Sequence, residues 1–200
     1  MNKWIETWKT VLTNPKDVFA SQKKSANLMD GVKQYAIAGF LQGLLAAILG
    51  MVLGTVAGGV GLGVVAAITA VIVTTIMVPI GSLIGQGILY LIAKLLGGKG
   101  SFAQHYYLTS LFAVPIMVIG AVLGAIPVIG ALAILVQLYG LYLLTLSLKE
   151  SHSLDTLKAV LVWLIPAILV IVLVVVLGVA LLSAFGLSGL GGLANLPLGN

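Results

Sequence analysis

The chain has 200 residues, 60% of them hydrophobic and 8% charged, with a net charge of +5 and no cysteine. An average soluble domain carries about 25% charged residues, so this balance excludes a water-soluble globular core, and the lack of cysteine excludes disulfides and thiolate metal sites. All ten basic residues are lysine, and with neither an arginine patch nor a basic soluble domain the composition argues against nucleic acid as a partner.

Residues 1–30 are polar and amphipathic. Trp4, Trp8, Val11 and Leu12 recur at the spacing of one helical face, with Lys3, Glu6 and Lys9 opposite. Tryptophan beside lysine at that spacing suits the headgroup layer of a membrane. Asn14-Pro15 ends this helix, and a second short one with Val18 and Phe19 on its apolar side is expected up to about Lys24. The segment reads as a cytoplasmic interfacial anchor, with a docking surface for a cytosolic partner as the functional alternative. It has neither a short apolar core nor a small-residue cleavage site, so no cleaved signal peptide is expected.

Residues 31–184 read as an all-α, polytopic transmembrane helical bundle. The first span covers about 32–57, with Asp30 as the expected N-cap. The second covers about 60–96, and such a helix would be about 54 Å long against about 30 Å of hydrocarbon. It therefore either kinks near Pro79 or divides into two spans. Lysine placement decides. With one span here, all ten lysines face one side; with two, Lys94, Lys99, Lys149 and Lys158 move across and six of ten remain. The positive-inside bias gives five spans, N-terminus cytoplasmic and C-terminus external. The remaining spans are about 102–125, 128–147 and 156–183, with Ile126-Pro127 as an external turn and Lys149–Lys158 as a cytoplasmic loop. Residues 185–200 are glycine-rich and uncharged, and read as a flexible external tail.

No lysine or acid falls in the middle of a span, which argues against a proton- or ion-coupled carrier. Gln42, Thr74, Thr75, Gln86 and Gln137 are polar at depth, and are expected to bond across helices or to their own backbone. Glycine pairs four residues apart, among them Gly39/Gly43, Gly81/Gly85 and Gly120/Gly124, are expected to let helices approach closely. Pro79, Gly81, Pro115, Gly120 and Gly124 are thus the candidate kink and packing positions, and a homo-oligomer is compatible with them. His105 and His152 lie at the cytoplasmic border with too few further ligands for a metal site. There is no HExxH, GxSxG or P-loop, so no catalytic residue, cofactor or metal is expected. Gly97–Ser101 has glycines and a lysine before a helix, but lacks the preceding strand and GK[ST] spacing of a phosphate loop.

Three stretches, GGKGSFAQHYYLTSLFAVP, AIP and ESHSLDTLKAVLVWLIP, together with the five-span pattern, resemble the Yip1 domain family over roughly residues 1–170. The resemblance is most specific at Gly98-Lys99-Gly100-Ser101-Phe102, at Pro115 and at Ser151 to Ala159. It implies a membrane protein of the kind whose eukaryotic members act in vesicle traffic and contact prenylated Rab-type GTPases. Those members carry a DLYGP-like motif where this chain reads Thr13-Asn14-Pro15-Lys16-Asp17-Val18-Phe19, so GTPase binding is not carried over. The N-terminus resembles the bacterial and archaeal branch, which implies the cell membrane of a prokaryote.

The expected function is therefore a non-enzymatic scaffold or membrane-organising factor. Its cytoplasmic face, with Trp4, Trp8, Lys94, Lys99, His105, Lys149 and His152, would engage membrane lipids or a cytoplasmic protein partner. A small-solute channel or permease, with Pro79, Gly81, Gln86 and Gln137 along a path at broken helices, is the alternative.

Overall fold

The computed structural model describes residues 2–126 and 129–194, with side chains through Leu181 apart from Asn2, and at Ser183. Seven α-helices run in order among them: α1 (Asn2–Thr13), α2 (Pro15–Gln22), α3 (Leu28–Gly58), α4 (Val60–Leu95), α5 (Phe102–Gly124), α6 (Leu132–His152) and α7 (Thr156–Ala194). A 3-10 turn at Lys23–Ser25 joins α2 to α3. Five of these helices, α3 to α7, are long and apolar enough to cross a membrane. The all-α, five-span reading thus holds. Residues 1–160 form one compact unit and residues 161 onward a second.

Several boundaries differ from the expected ones, each for a local reason. Asn27, rather than Asp30, caps α3: its side chain accepts from the Met29 N–H at 2.8 Å, and Asp30 pairs with Lys33 at 3.2 Å within the first turn. Helix α4 runs unbroken through Pro79, so this region is one span. Helix α6 continues through Lys149–His152, the first part of the expected Lys149–Lys158 loop. Ser147, Leu148, Ser151 and His152 are all buried there, and the helix stops only where Ser153 turns left-handed at φ 55°. Asp155 then caps α7 by accepting from the Lys158 N–H at 2.9 Å. Of the Ile126-Pro127 turn, Pro127 lies outside the described residues. The expected tail at 185–200 is helical to Ala194, and 195–200 lie outside the described residues.

Helices α3 and α4 form a hairpin around Gly59, held by backbone-to-backbone contact. A Cβ on Gly39 would collide with the Thr74 carbonyl, one on Gly43 with the Thr74 hydroxyl and the Val71 backbone, and one on Gly54 with Gly63. Thr74 uses this proximity, donating to the Gly39 carbonyl at 2.8 Å. Small residues serve this purpose in lipid, where apolar side chains gain little by leaving hydrocarbon and close packing drives association instead.

Helix α5 is the centre of the first unit. Of its most apolar window 44% is buried, against 17% for α3 and 11% for α4. Every residue from His105 to Phe112 is buried. The N-terminal helices supply much of this cover: Val11, Val18 and Phe19 join Tyr107, Leu108, Leu111, Phe112, Ile116 and Leu143 in one cluster. Phe19 meets Phe112 edge-on, centroids 6.1 Å apart. Polar ties fix the same layer: Trp8 Nε1 donates to Gln34 at 2.8 Å, Tyr107 to Gln22 at 3.0 Å, and Tyr139 to the Leu12 carbonyl at 2.6 Å. In the second unit, the apolar side chains from Ile168 to Leu177 are each at least half exposed.

The glycine contacts distinguish positions that look alike in sequence. Gly43→Leu is expected to lower the unfolding free energy in detergent by about 1–3 kcal/mol, the usual cost of overpacking. Gly124→Ala, where a Cβ meets nothing within 4 Å, should leave the melting temperature unchanged or slightly raised; differential scanning fluorimetry of the two variants checks both.

Candidate functional site

The charged segments meet at the end of the bundle that carries the α4–α5 loop. Helix α4 ends in a Schellman motif: Gly97 is left-handed at φ +92°, its N–H reaches the Lys94 carbonyl at 3.0 Å, and the Gly98 N–H reaches the Ala93 carbonyl at 2.8 Å. Ser101 then caps α5 in a reciprocal box with Gln104, both bonds at 3.2 Å. Between these two devices the loop lies flat on the end of α6. The Lys99 N–H donates to the His152 carbonyl at 2.9 Å, and a Cβ on Gly98 or Gly100 would strike His152 or the Ser151 backbone.

Beneath the loop sit two histidines, each 0% exposed. His152 Nε2 and His105 Nδ1 are 3.2 Å apart. One ring must donate and the other accept, so the contact survives with one shared proton and is lost if both rings are fully protonated. His105 also faces the Gln86 backbone, whereas His152 Nδ1 has no hydrogen-bond partner among the described residues. Rings enclose the pair: Tyr90 lies 6.2 Å from His105 and 5.6 Å from His152, and Phe102 stacks 6.5 Å from His105. Among the described residues no group of three or more His, Cys, Asp or Glu is placed to hold a metal.

The sequence-derived surface residues divide accordingly. Lys94 and Lys99 are exposed, with the Lys94 ammonium 5.6 Å from the Tyr90 ring centroid. Lys149 donates to Thr156 at 2.7 Å. Trp4 and Trp8 are half-buried on α1, Trp4 near Asp30 and Tyr107, and Trp8 beside Pro115 over an apolar cleft. His105 and His152 are no part of the surface assigned to them. They are interior residues, because the glycine loop and the Tyr90 and Phe102 rings close over them.

The packing positions divide too. Pro79 is buried and Pro115 half-buried. A Cβ on Gly120 would lie 3.0 Å from the Gln137 amide, so Gly120 does mark a close approach. Gly81 and Gly124 face open space within this chain, where a Cβ at either meets nothing within 4 Å.

Two further ties bring the N-terminal segment to this end. Lys23 pairs with the Glu150 carboxylate at 3.4 Å and also donates to the Glu150 carbonyl. Lys99 and Glu150, far apart in sequence, therefore belong to the same end of the molecule. Three charged segments converge there: the N-terminal helices, the α4–α5 loop and the α6–α7 junction. Sequence reasoning missed Tyr90 and Tyr35, which it absorbed into apolar runs; the one signal was that each tyrosine lies within four residues of a lysine.

A family model described as the Yip1 domain matches residues 9–191. The chain therefore belongs to the Yip1 domain family. No curated protein and no solved structure matches it.

Because each ring satisfies the other, the two histidines are expected to be energetically coupled. His105→Leu alone or His152→Leu alone strands a buried nitrogen, at a cost of about 1–3 kcal/mol. The double variant should cost less than the sum of the two, a coupling of about 0.5 kcal/mol or more in a double-mutant cycle of thermal unfolding. Strict additivity would show that the 3.2 Å contact carries no energy.

Proposed function

We propose that this integral membrane protein is a non-enzymatic scaffold whose lysine-rich end gathers anionic lipid surface or a cytoplasmic partner, in the cell membrane of a prokaryote. The observation that carries the reading is the convergence of three charged segments at one end, tied through Lys99 to His152 and through Lys23 to Glu150. Only Lys23 and Lys33 are in salt bridges among the described residues. Lys9, Lys16, Lys24, Lys94, Lys99 and Lys158 are exposed. Near an anionic membrane each such lysine contributes about 1 kcal/mol, and the contribution fades beyond a Debye length of about 10 Å at 0.1 M salt. The capped loop and the packed N-terminal helices fix the backbone positions from which Lys99 and the N-terminal lysines project.

The expected result is that protein in phosphatidylcholine nanodiscs retains phosphatidylglycerol vesicles and not phosphatidylcholine vesicles. Lys16→Ala, Lys99→Ala and Lys149→Ala should each weaken retention by up to about fivefold, and raised salt should abolish it. Equal retention of both vesicle types would sink the lipid-gathering form of the scaffold reading. Solute flux through reconstituted protein that stops in Gln86→Leu would install the channel or permease in its place.

A further inference from the structure

Between α2 and the last turns of α6 lies a pocket of about 430 Å³, within the size range of sites that take one small ligand. Each helix brings one lysine and one acid to it: Lys16 and Asp17 from α2, Lys149 and Glu150 from α6. No two of these four pair with each other, since the salt bridges among the described residues are Lys23 to Glu150 and Lys33 to Asp30. Lys149 donates to the neutral Thr156 hydroxyl at 2.7 Å, and Asp17 accepts from the Asn14 amide at 2.6 Å. Asp17 is engaged through Oδ2 and Glu150 through Oε1, which leaves the second oxygen of each carboxylate open. The pocket therefore presents two cations and two anions, and these four charges sum to zero.

Its place on α6 is the boundary between two solvents. From Leu132 to Leu148 that helix holds no charged residue, and Lys149 and Glu150 are its first. In a bilayer such a boundary is where hydrocarbon gives way to headgroups. Leu135, Leu138 and Tyr142 are exposed, and further steps of four and three residues lead from them to Leu146 and Lys149 on the same helical face. A lipid-facing stripe thus runs up α6 into the pocket, whose apolar side is made by Phe19, Leu146 and Leu154.

We propose that this pocket holds the headgroup of one zwitterionic glycerophospholipid with a primary ammonium, a phosphatidylethanolamine in chemical class. The phosphate lies between Lys16 and Lys149, the ammonium reaches Asp17 and Glu150, and an acyl chain descends along Leu146, Tyr142 and Leu138. A primary ammonium brings three N–H donors to the two carboxylates. Choline carries the same charge and no donor, so phosphatidylcholine matches the pocket less well. Phosphatidylglycerol carries no cation and would set net negative charge against both acids. This inference stands apart from the scaffold reading, which rests on the summed charge of the lysines and on an anionic surface.

The test is native mass spectrometry of the protein in detergent, with dioleoyl phosphatidylethanolamine, phosphatidylcholine and phosphatidylglycerol added at equal concentration. Saturable binding of one phosphatidylethanolamine per chain is expected, at least about threefold tighter than either other lipid. Asp17→Asn and Glu150→Gln should each weaken it about two- to fivefold, the range of an exposed ion pair. Both should leave phosphatidylglycerol binding unchanged or stronger, whereas damage to the fold would weaken every lipid alike. Ala20, an exposed residue of the pocket wall, gives a second variant in case Glu150→Gln loosens the tie to Lys23. Ala20→Leu should keep the parent melting temperature and abolish phosphatidylethanolamine binding. Equal binding of phosphatidylethanolamine and phosphatidylcholine, a preference for phosphatidylglycerol, or full binding in Ala20→Leu overturns the proposal. So does displacement of the lipid by an equal concentration of glycerophosphoethanolamine, which would mark a site for a free headgroup. Retention of phosphatidylglycerol vesicles is read separately, so either reading can fail while the other stands.

Discussion

The hydrogen bond from the Lys99 N–H to the His152 carbonyl is the constraint on which the organised end of this molecule depends. It joins the α4–α5 loop to the last turn of α6, a contact that requires backbone to lie on backbone. Gly98 and Gly100 make that possible by having no side chain where His152 and Ser151 stand. A left-handed Gly97 turns the chain toward this contact, and the Ser101 cap turns it away into α5. The histidine pair follows from this closure. With the loop in place neither ring reaches solvent, and each becomes the hydrogen-bonding environment of the other.

The same closure explains the uneven packing of the bundle. At the loop end α5 is buried through Phe112, while much of the apolar length of α3 and α4 stays exposed, Val56 at 83% and Leu95 at 86%. In water such surface would be a fault. In a bilayer, lipid tails are as apolar as the side chains, and burying Val56 against protein would gain little. Side chains on α1 and α2 are a different case, since a polar segment outside the hydrocarbon does gain by burying Val11 and Phe19, about 1.5–3 kcal/mol for each. Two solvents act on one chain, so exposed apolar side chains cost little on α3 and α4, whereas those of α1 and α2 gain by burial.

This division also sets what could be read from the residues in order. Helix number and placement were legible, because span length and lysine distribution are one-dimensional quantities. Lys94, Lys99 and Lys149 could be assigned to one end for the same reason. The apolar faces of α1 and α2 were legible as well, but not their partner: nothing near Phe19 announces Phe112. Gly39/Gly43 and Gly81/Gly85 have the same spacing and opposite roles, since only the first pair has a helix opposite it. His105 and His152 read as border residues because they flank polar loops, yet burial depends on what folds over them. Gln86 stood out as a polar residue at depth, whereas Tyr35, which faces it, was hidden inside an apolar run.

The two unusual features of the first unit share a cause. Both the histidine pair and the Tyr35–Gln86 pair place hydrogen-bonding groups where water is scarce, at the loop end of α4 and α5. In the first, the two rings meet at 3.2 Å; in the second, the Tyr35 hydroxyl faces the Gln86 side chain. A matched pair of this kind specifies one arrangement of helices, because any shift of α5 against α6 separates the rings. Packing at the histidines therefore fixes how α5 and α6 stand against each other at the loop end.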